Sequence, residues 1–307
     1  MNIITLTVNP ALDKSAKIDG LVAEQKLKCH SIKYQAGGGG INISRILTRL
    51  NIDSDCVFTS GGDYGNYLEK LLLEEKVHIT AIATEENTRE NFSIIDTKTN
   101  LQYRFGMPGS KISTSELDLI IAEINKKVKE HDILALSGSL GEGMPVDFYS
   151  KIIKSLDNKR VKIILDTSGP ALVNGLEQPV YLIKPNQKEL ALLAGKEVLT
   201  DKEQEEFAMQ LVTSGSVKYV AVSLGAKGAF LASKEGVIYQ SIPTVEVKST
   251  IGAGDSMVAG LIFGIKQGYA ADKMLKYGVA CGMATTMSES TNLASASAIK
   301  SVLQSLK

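Results

Sequence analysis

The chain has 307 residues, with 34 Lys and Arg against 34 Asp and Glu, so its formal net charge is +0. That balance excludes a generally basic, nucleic-acid-coating surface, and 44% hydrophobic with 22% charged residues excludes global disorder. No apolar stretch approaches the ~18 residues of a membrane span, so neither nucleic acid nor membrane is expected as a partner.

In chain order, the first residues (Met1-Asn2-Ile3-Ile4-Thr5-Leu6-Thr7-Val8) enter a strand pattern without a basic leader. Further apolar, β-branched runs follow at 55–59, 133–137, 162–166, 180–184 and 219–223. They are apolar on successive residues, which suits strands covered on both faces. Helical spacing links Ile43, Ile46, Leu47 and Leu50, and again Leu117, Ile120, Ile121, Ile124 and Val128. Ser113…Glu116 and Thr200…Glu203 have the capping-box pattern of helix starts. The alternation implies an α/β domain with a mostly parallel central sheet between helical layers. Two stretches differ. Residues 16–35 are long, mixed and strand-like, and 89–106 reads as a hairpin turning at Thr97-Lys98-Thr99-Asn100. Both look one-sided, as strands of a small second sheet would, with an apolar face that needs a cavity mouth or a second subunit. Cys29, Cys56 and Cys281 are odd in number and far apart, without a CxxC pair. This argues against a disulfide framework or zinc ribbon and suits a cytoplasmic protein.

Two glycine clusters carry the chemistry. Gly37-Gly38-Gly39-Gly40-Ile41-Asn42 opens a helix, where missing Cβ atoms let the backbone approach a ligand; a flexible hinge is the alternative. Asn42 can cap that helix or bond a ligand hydroxyl. Gly252-Ala253-Gly254-Asp255 opens the helical face Met257, Val258, Leu261, Ile262, Ile265. Unpaired amides and the helix dipole there favour an anion. Asp255 is then either a cap or a general base beside a phosphate-transfer site. The motif is not GxxxxGK[ST], and no strand followed by GxGxxG opens the chain, which disfavours a dinucleotide-binding oxidoreductase.

Together with Lys184-Pro185-Asn186-Gln187-Lys188-Glu189 and Ser223-Leu224-Gly225-Ala226-Lys227-Gly228, these clusters resemble the PfkB branch of ribokinase-like sugar kinases. Thr7–Asp13, Ser137-Gly138-Ser139-Leu140 and Tyr103–Gly109 resemble its phosphofructokinase members, and the likeness runs from about residue 3 to the end. It implies a single three-layer α/β/α kinase domain over 1–307, with a small β-sheet lid from about 16–35 and 89–106.

It also implies roles. Asp255 would deprotonate a sugar's primary hydroxyl, with Gly252, Ala253 and Gly254 stabilising the phosphoryl group in transfer. Asn186 and Glu189 would organise Mg²⁺ through water, although Glu189 alone reads as a charge at a helix start. Lys184, Asn186, Ser223, Gly225, Gly228 and Thr250 would bind ATP. Asp13, Gly38, Gly39 and Asn42 would hold the sugar. Arg89, Arg104 and Ser139 would meet its phosphate, and Lys26 would reach either set of phosphates.

The activity implied is ATP-dependent phosphorylation of a ketohexose phosphate at its free primary hydroxyl. Fructose 6-phosphate is favoured by the 103–109 run and the four-glycine loop. 1-Phosphofructokinase and tagatose-6-phosphate kinase share the motifs. A catalytically silent sugar-phosphate-binding protein on the same fold is the alternative of another class, and retention of Asp255 with both glycines counts against it. A homodimer through the lid strands is expected.

Overall fold

The computed structural model describes residues 1–289 and 292–306. From the N-terminus come β1 (Ile3–Thr7), β2 (Ala11–Ile18), β3 (His30–Gly37), α1 (Gly39–Arg49), β4 (Asp55–Ser60) and α2 (Gly62–Glu74). The middle holds β5 (His78–Ala83), β6 (Arg89–Asp96), β7 (Gln102–Phe105), α3 (Thr114–Lys127), β8 (Ile133–Ser137), α4 (Phe148–Ser155), β9 (Lys162–Asp166) and α5 (Gly169–Gly175). Next are β10 (Val180–Ile183), α6 (Gln187–Leu193), α7 (Asp201–Thr213), β11 (Val217–Ser223), β12 (Ala229–Ser233) and β13 (Gly236–Gln240). Helices α8 (Ala253–Lys266), α9 (Ala271–Thr286) and α10 (Ala296–Ser305) complete the chain.

Among the described residues the main sheet runs β13-β12-β11-β10-β9-β8-β1-β4-β5, parallel except at β12 and β13. Its strands alternate between two cores. Leu134 and Leu136 pack with Ile120, Ile124, Phe148 and Val212 of α3, α4 and α7 on one face. Ile133 and Ala135 pack with Ile43, Ile46, Leu261 and Val279 of α1, α8 and α9 on the other. Burial on both faces is why the sequence shows unbroken apolar runs. Strands β5, β12 and β13 extend the predicted set. The edge strands β5 and β13 are largely half-buried or exposed, which leaves them without a continuous apolar signature. The capping boxes at Ser113–Glu116 and Thr200–Glu203 both form.

The second sheet has the order β3-β2-β6-β7, with β2 and β6 parallel. The hairpin at 89–106 supplies β6 and β7. The other pair starts earlier than the sequence pattern suggested, at Ala11, and residues 19–29 lie outside any strand. That segment is almost wholly exposed, and it meets the sheet through Leu21 N–H donating to Asp96 Oδ2 at 3.3 Å rather than through a ladder. No described helix is long and apolar enough to cross a membrane.

From β1 the chain winds outwards to β4 and β5, then returns to β8 on the opposite side and proceeds to β13. The order therefore reverses between β1 and β8, where the carboxyl ends of an α/β sheet open a crevice for ligands.

Candidate active site

Residues at those carboxyl ends build the site: Ser137–Ser139 after β8, Asp166 ending β9, Lys184 after β10 and Ser223 ending β11. The N-termini of α1 and α8 are brought to the same edge. α1 can start there only because Gly39 has no side chain. A Cβ on Gly39 would stand 2.2 Å from Ser137 Oγ and 2.9 Å from the Gly138 amide nitrogen. The latter is backbone and cannot rotate away. Gly39→Ala is therefore expected to cost roughly 1–3 kcal/mol through overpacking, read by urea unfolding, and to lower activity further by displacing α1.

Asp255 lies in the first turn of α8, whose N-cap is Gly252 in the left-handed region at φ 72°. No side chain caps this helix. The carboxylate points elsewhere, with Oδ2 accepting a 2.8 Å bond from Asn42 Nδ2. Asn42 likewise does not cap α1, and its Oδ1 accepts from Arg45 Nη1 at 3.1 Å. The capping alternatives for both residues are thus not realised. Ala253 N–H makes a long bond to Thr250 O at 3.4 Å, whereas the amides of Gly254 and Asp255 have no acceptor among the described residues. First-turn amides of this kind form an anion cradle.

Burial pushes the Asp255 carboxyl up to about 6, helped by the charge of Asp166 and opposed by the Asn42 bond and Lys184. An Asp at a helix N-terminus is expected to stay well ionised; here desolvation outweighs the dipole. Lys184, itself buried, has Nζ 3.5 Å from Asp166 Oδ1. Burial works to lower its pKa, but Asp166, Glu189 and Asp255 raise it overall, so it stays a cation. A base must be ionised to accept a proton, so kcat/KM is expected to fall as pH drops through about 6. One pH unit below that midpoint the loss approaches about ten-fold, as a pH–rate profile would show.

Two cavities flank the start of α8. One, of about 420 Å³, is lined by Asp13, Lys14, Asn91, Phe92, Arg104 and Ile251, so the second sheet forms much of its wall. Asp13 Oδ1 accepts from Asn91 Nδ2 at 2.9 Å, and burial raises its pKa. The other, of about 540 Å³, takes in Asn186, Ser223, Gly225, Gly228, Thr250 and Gly254. Its far wall is apolar, with Ile242, Val245, Val247, Val279 and Met283. Ile251 belongs to the first cavity, and Thr250, Ala253 and Gly254 to the second. The cradle therefore separates them.

The remaining expected residues divide. Asn9 joins two: its Nδ2 donates to Ser139 Oγ at 3.2 Å, and its carbonyl accepts from Arg89 Nη2 at 3.3 Å. Arg89 Nη1 also donates to Met107 O at 3.1 Å, and its buried Nε has no partner among the described residues. Gly38 is the N-cap of α1. Lys26 lies on the exposed 19–29 segment and is not brought to either cavity. Asn186 and Glu189 form a reciprocal capping box on α6, with bonds of 2.9 Å each way, so the helix-start reading of Glu189 holds. Only Glu189 Oε2 takes part in that box. The Glu189 and Asp166 carboxylates, whose charges both act on Lys184, are hard oxygen donors, and their chemistry fits a largely hydrated Mg²⁺. No group of three potential ligands is assembled among the described residues.

Sequence reasoning missed Asp166 and the apolar wall at 242–247. Asp166 had a usable signal, a carboxylate ending a buried parallel strand one element before Lys184. The wall had none, since its residues gain meaning only against α9.

The sequence profile of the pfkB family carbohydrate kinases matches residues 5–298. The ATP-dependent 6-phosphofructokinase isozyme 2 of Escherichia coli K12 is 33% identical over 296 residues, 96% of each chain. The 1-phosphofructokinase of Bacillus subtilis 168 is 31% identical over 288 residues, covering 94% of this chain and 93% of its own length. The crystal structure of Escherichia coli phosphofructokinase-2 in complex with fructose-6-phosphate superposes with a TM-score of 0.94, at 32% identity over 99% of both chains.

Proposed function

Because the chain belongs to the PfkB family of carbohydrate kinases, we propose that its two cavities hold a phosphorylated ketohexose and ATP, and that it phosphorylates the sugar's free primary hydroxyl. The observation that carries this reading is the α8 cradle between the two cavities, with Asp255 in the first turn of the same helix. The hydroxyl oxygen bonds to the γ-phosphorus, its proton passes to Asp255, and ADP departs with the bond to the β-γ bridging oxygen. Gly252, Ala253 and Gly254 offer backbone dipoles to the moving phosphoryl group, and Lys184 offsets its charge. Ser223, Gly225, Gly228 and Thr250 line the ATP side, with the adenine against the apolar wall. Asp166, Asn186 and Glu189 would hold Mg²⁺ through water, and the ion supplies charge neutralisation of the phosphates when bound.

On the sugar side, Asp13 accepts two hydroxyl hydrogen bonds beside Asn42, Gly38 and Gly39. Arg104 and Ser139 meet the phosphate, with Arg89 holding the 107 loop behind them. The second sheet acts as a lid of the single domain, and closure of its 19–29 segment brings Lys26 to the phosphates. Ile32 and Leu101, exposed on that sheet and its turn, support pairing of two chains there. Sedimentation at micromolar concentration would give a dimer, and a fully active monomer would remove this part of the reading.

Fructose 6-phosphate, giving fructose 1,6-bisphosphate, is the proposed substrate. A coupled ADP-release assay compares it with fructose 1-phosphate, tagatose 6-phosphate and unphosphorylated fructose. Best turnover on fructose 6-phosphate is expected, while best turnover on fructose itself would overturn the phosphate roles of Arg104 and Ser139.

A further inference from the structure

Beneath the base lies a relay of side chains that does not reach either cavity. Arg45, only 2% exposed, sits one helical turn after Asn42 on α1. Its Nη1 donates to Asn42 Oδ1 at 3.1 Å and to the carbonyl of Ala36 at 2.9 Å. Its other edge is gripped by Glu75, at the C-terminus of α2, with Nε donating to Oε1 at 3.0 Å and Nη2 to Oε1 at 2.6 Å. Arg49 Nη2 fixes the second carboxylate oxygen at 2.9 Å.

An Asn amide can turn over and exchange its donor and acceptor ends. With Arg45 occupying Oδ1, only the Nδ2 end can face Asp255. We propose that the Arg45–Glu75 pair is a positioning element that fixes the sense of the Asn42 amide, and through it the orientation of the Asp255 carboxylate. The donation from Asn42 holds Oδ2 and leaves Oδ1 to meet the substrate hydroxyl. Glu75 is half-buried and outside both cavities, so Glu75→Gln keeps the shape of the site while loosening the guanidinium.

This inference rests on the kinase reading for its catalytic consequence, and its test keeps the two apart. Kinetics of the wild type, Glu75→Gln, Asn42→Ala and the double variant are measured with MgATP and fructose 6-phosphate. Glu75→Gln is expected to lower kcat about ten-fold with both KM values within about two-fold, the pattern of a loss confined to the transition state. On the Asn42→Ala background the same change is expected to cost less than about two-fold, because contacting residues are not additive. In parallel, NMR follows exchange of the Asn42 side-chain amide in the free protein, and protection is expected to drop about ten-fold in Glu75→Gln. That readout needs no turnover, so a wild type inactive on every sugar phosphate would sink the kinase reading and leave the relay measurable. Unchanged amide protection, an unchanged kcat, or full multiplicative losses in the double variant would each overturn the proposal.

Discussion

Asp255→Asn is expected to lower kcat by about 10²–10⁴-fold, the usual contribution of a general base, while fructose 6-phosphate binding by calorimetry stays within about three-fold. The amide is isosteric, so the cavity keeps its shape and its Oδ1 can still accept the bond from Asn42 seen at 2.8 Å in the native site. What is lost is proton acceptance, together with the negative charge beside Lys184. Substantial turnover in this variant would remove Asp255 as the base, and loss of sugar binding in proportion to kcat would make it a binding residue instead.

Lys184→Met is expected to be nearly as damaging, for an electrostatic reason. Lys184 is the buried cation among Asp166, Glu189 and Asp255, and all three raise its pKa. Its removal deprives the transferring phosphoryl group of a preorganised charge, a loss of about 10²–10³ in kcat. It also removes an influence that now lowers the pKa of Asp255, leaving burial and Asp166 unopposed except by Asn42. The acid limb of the pH–rate profile should therefore move upwards from about 6, so that part of the loss at neutral pH is recovered in more alkaline buffer. An unshifted limb with a reduced plateau would show that Lys184 serves the phosphates alone.

The sequence made the layered α/β architecture legible because strands covered on two faces leave unbroken apolar runs, as in Ile133–Ser137. The anion cradle was legible for a different reason, since adjacent glycines at a helix start have few other uses. What escaped depends on distance along the chain. Asn42 and Asp255 are 213 positions apart yet bond to each other, each lying inside its helix rather than at the N-cap. Arg45 and Glu75 drew no reading from the sequence, because their contact exists only once α2 is packed beside α1. Glu189 shows the reverse limit: its local reading as a charge at a helix start was accurate, and any metal role is added to it rather than replacing it. Lys26 shows another, because a cation in a polar segment carries no information about where that segment lies.

Incubation with ATP labelled at the γ-phosphate and fructose 6-phosphate tests most directly whether Asp255 drives transfer between the two cavities. The label is expected to appear on the former primary hydroxyl of fructose 1,6-bisphosphate with the wild type, and to be nearly absent from the sugar with Asp255→Asn. Label released as inorganic phosphate at the same rate with and without sugar would contradict the account, since ATP would then be hydrolysed rather than its phosphoryl group passed to the hydroxyl that Asp255 activates.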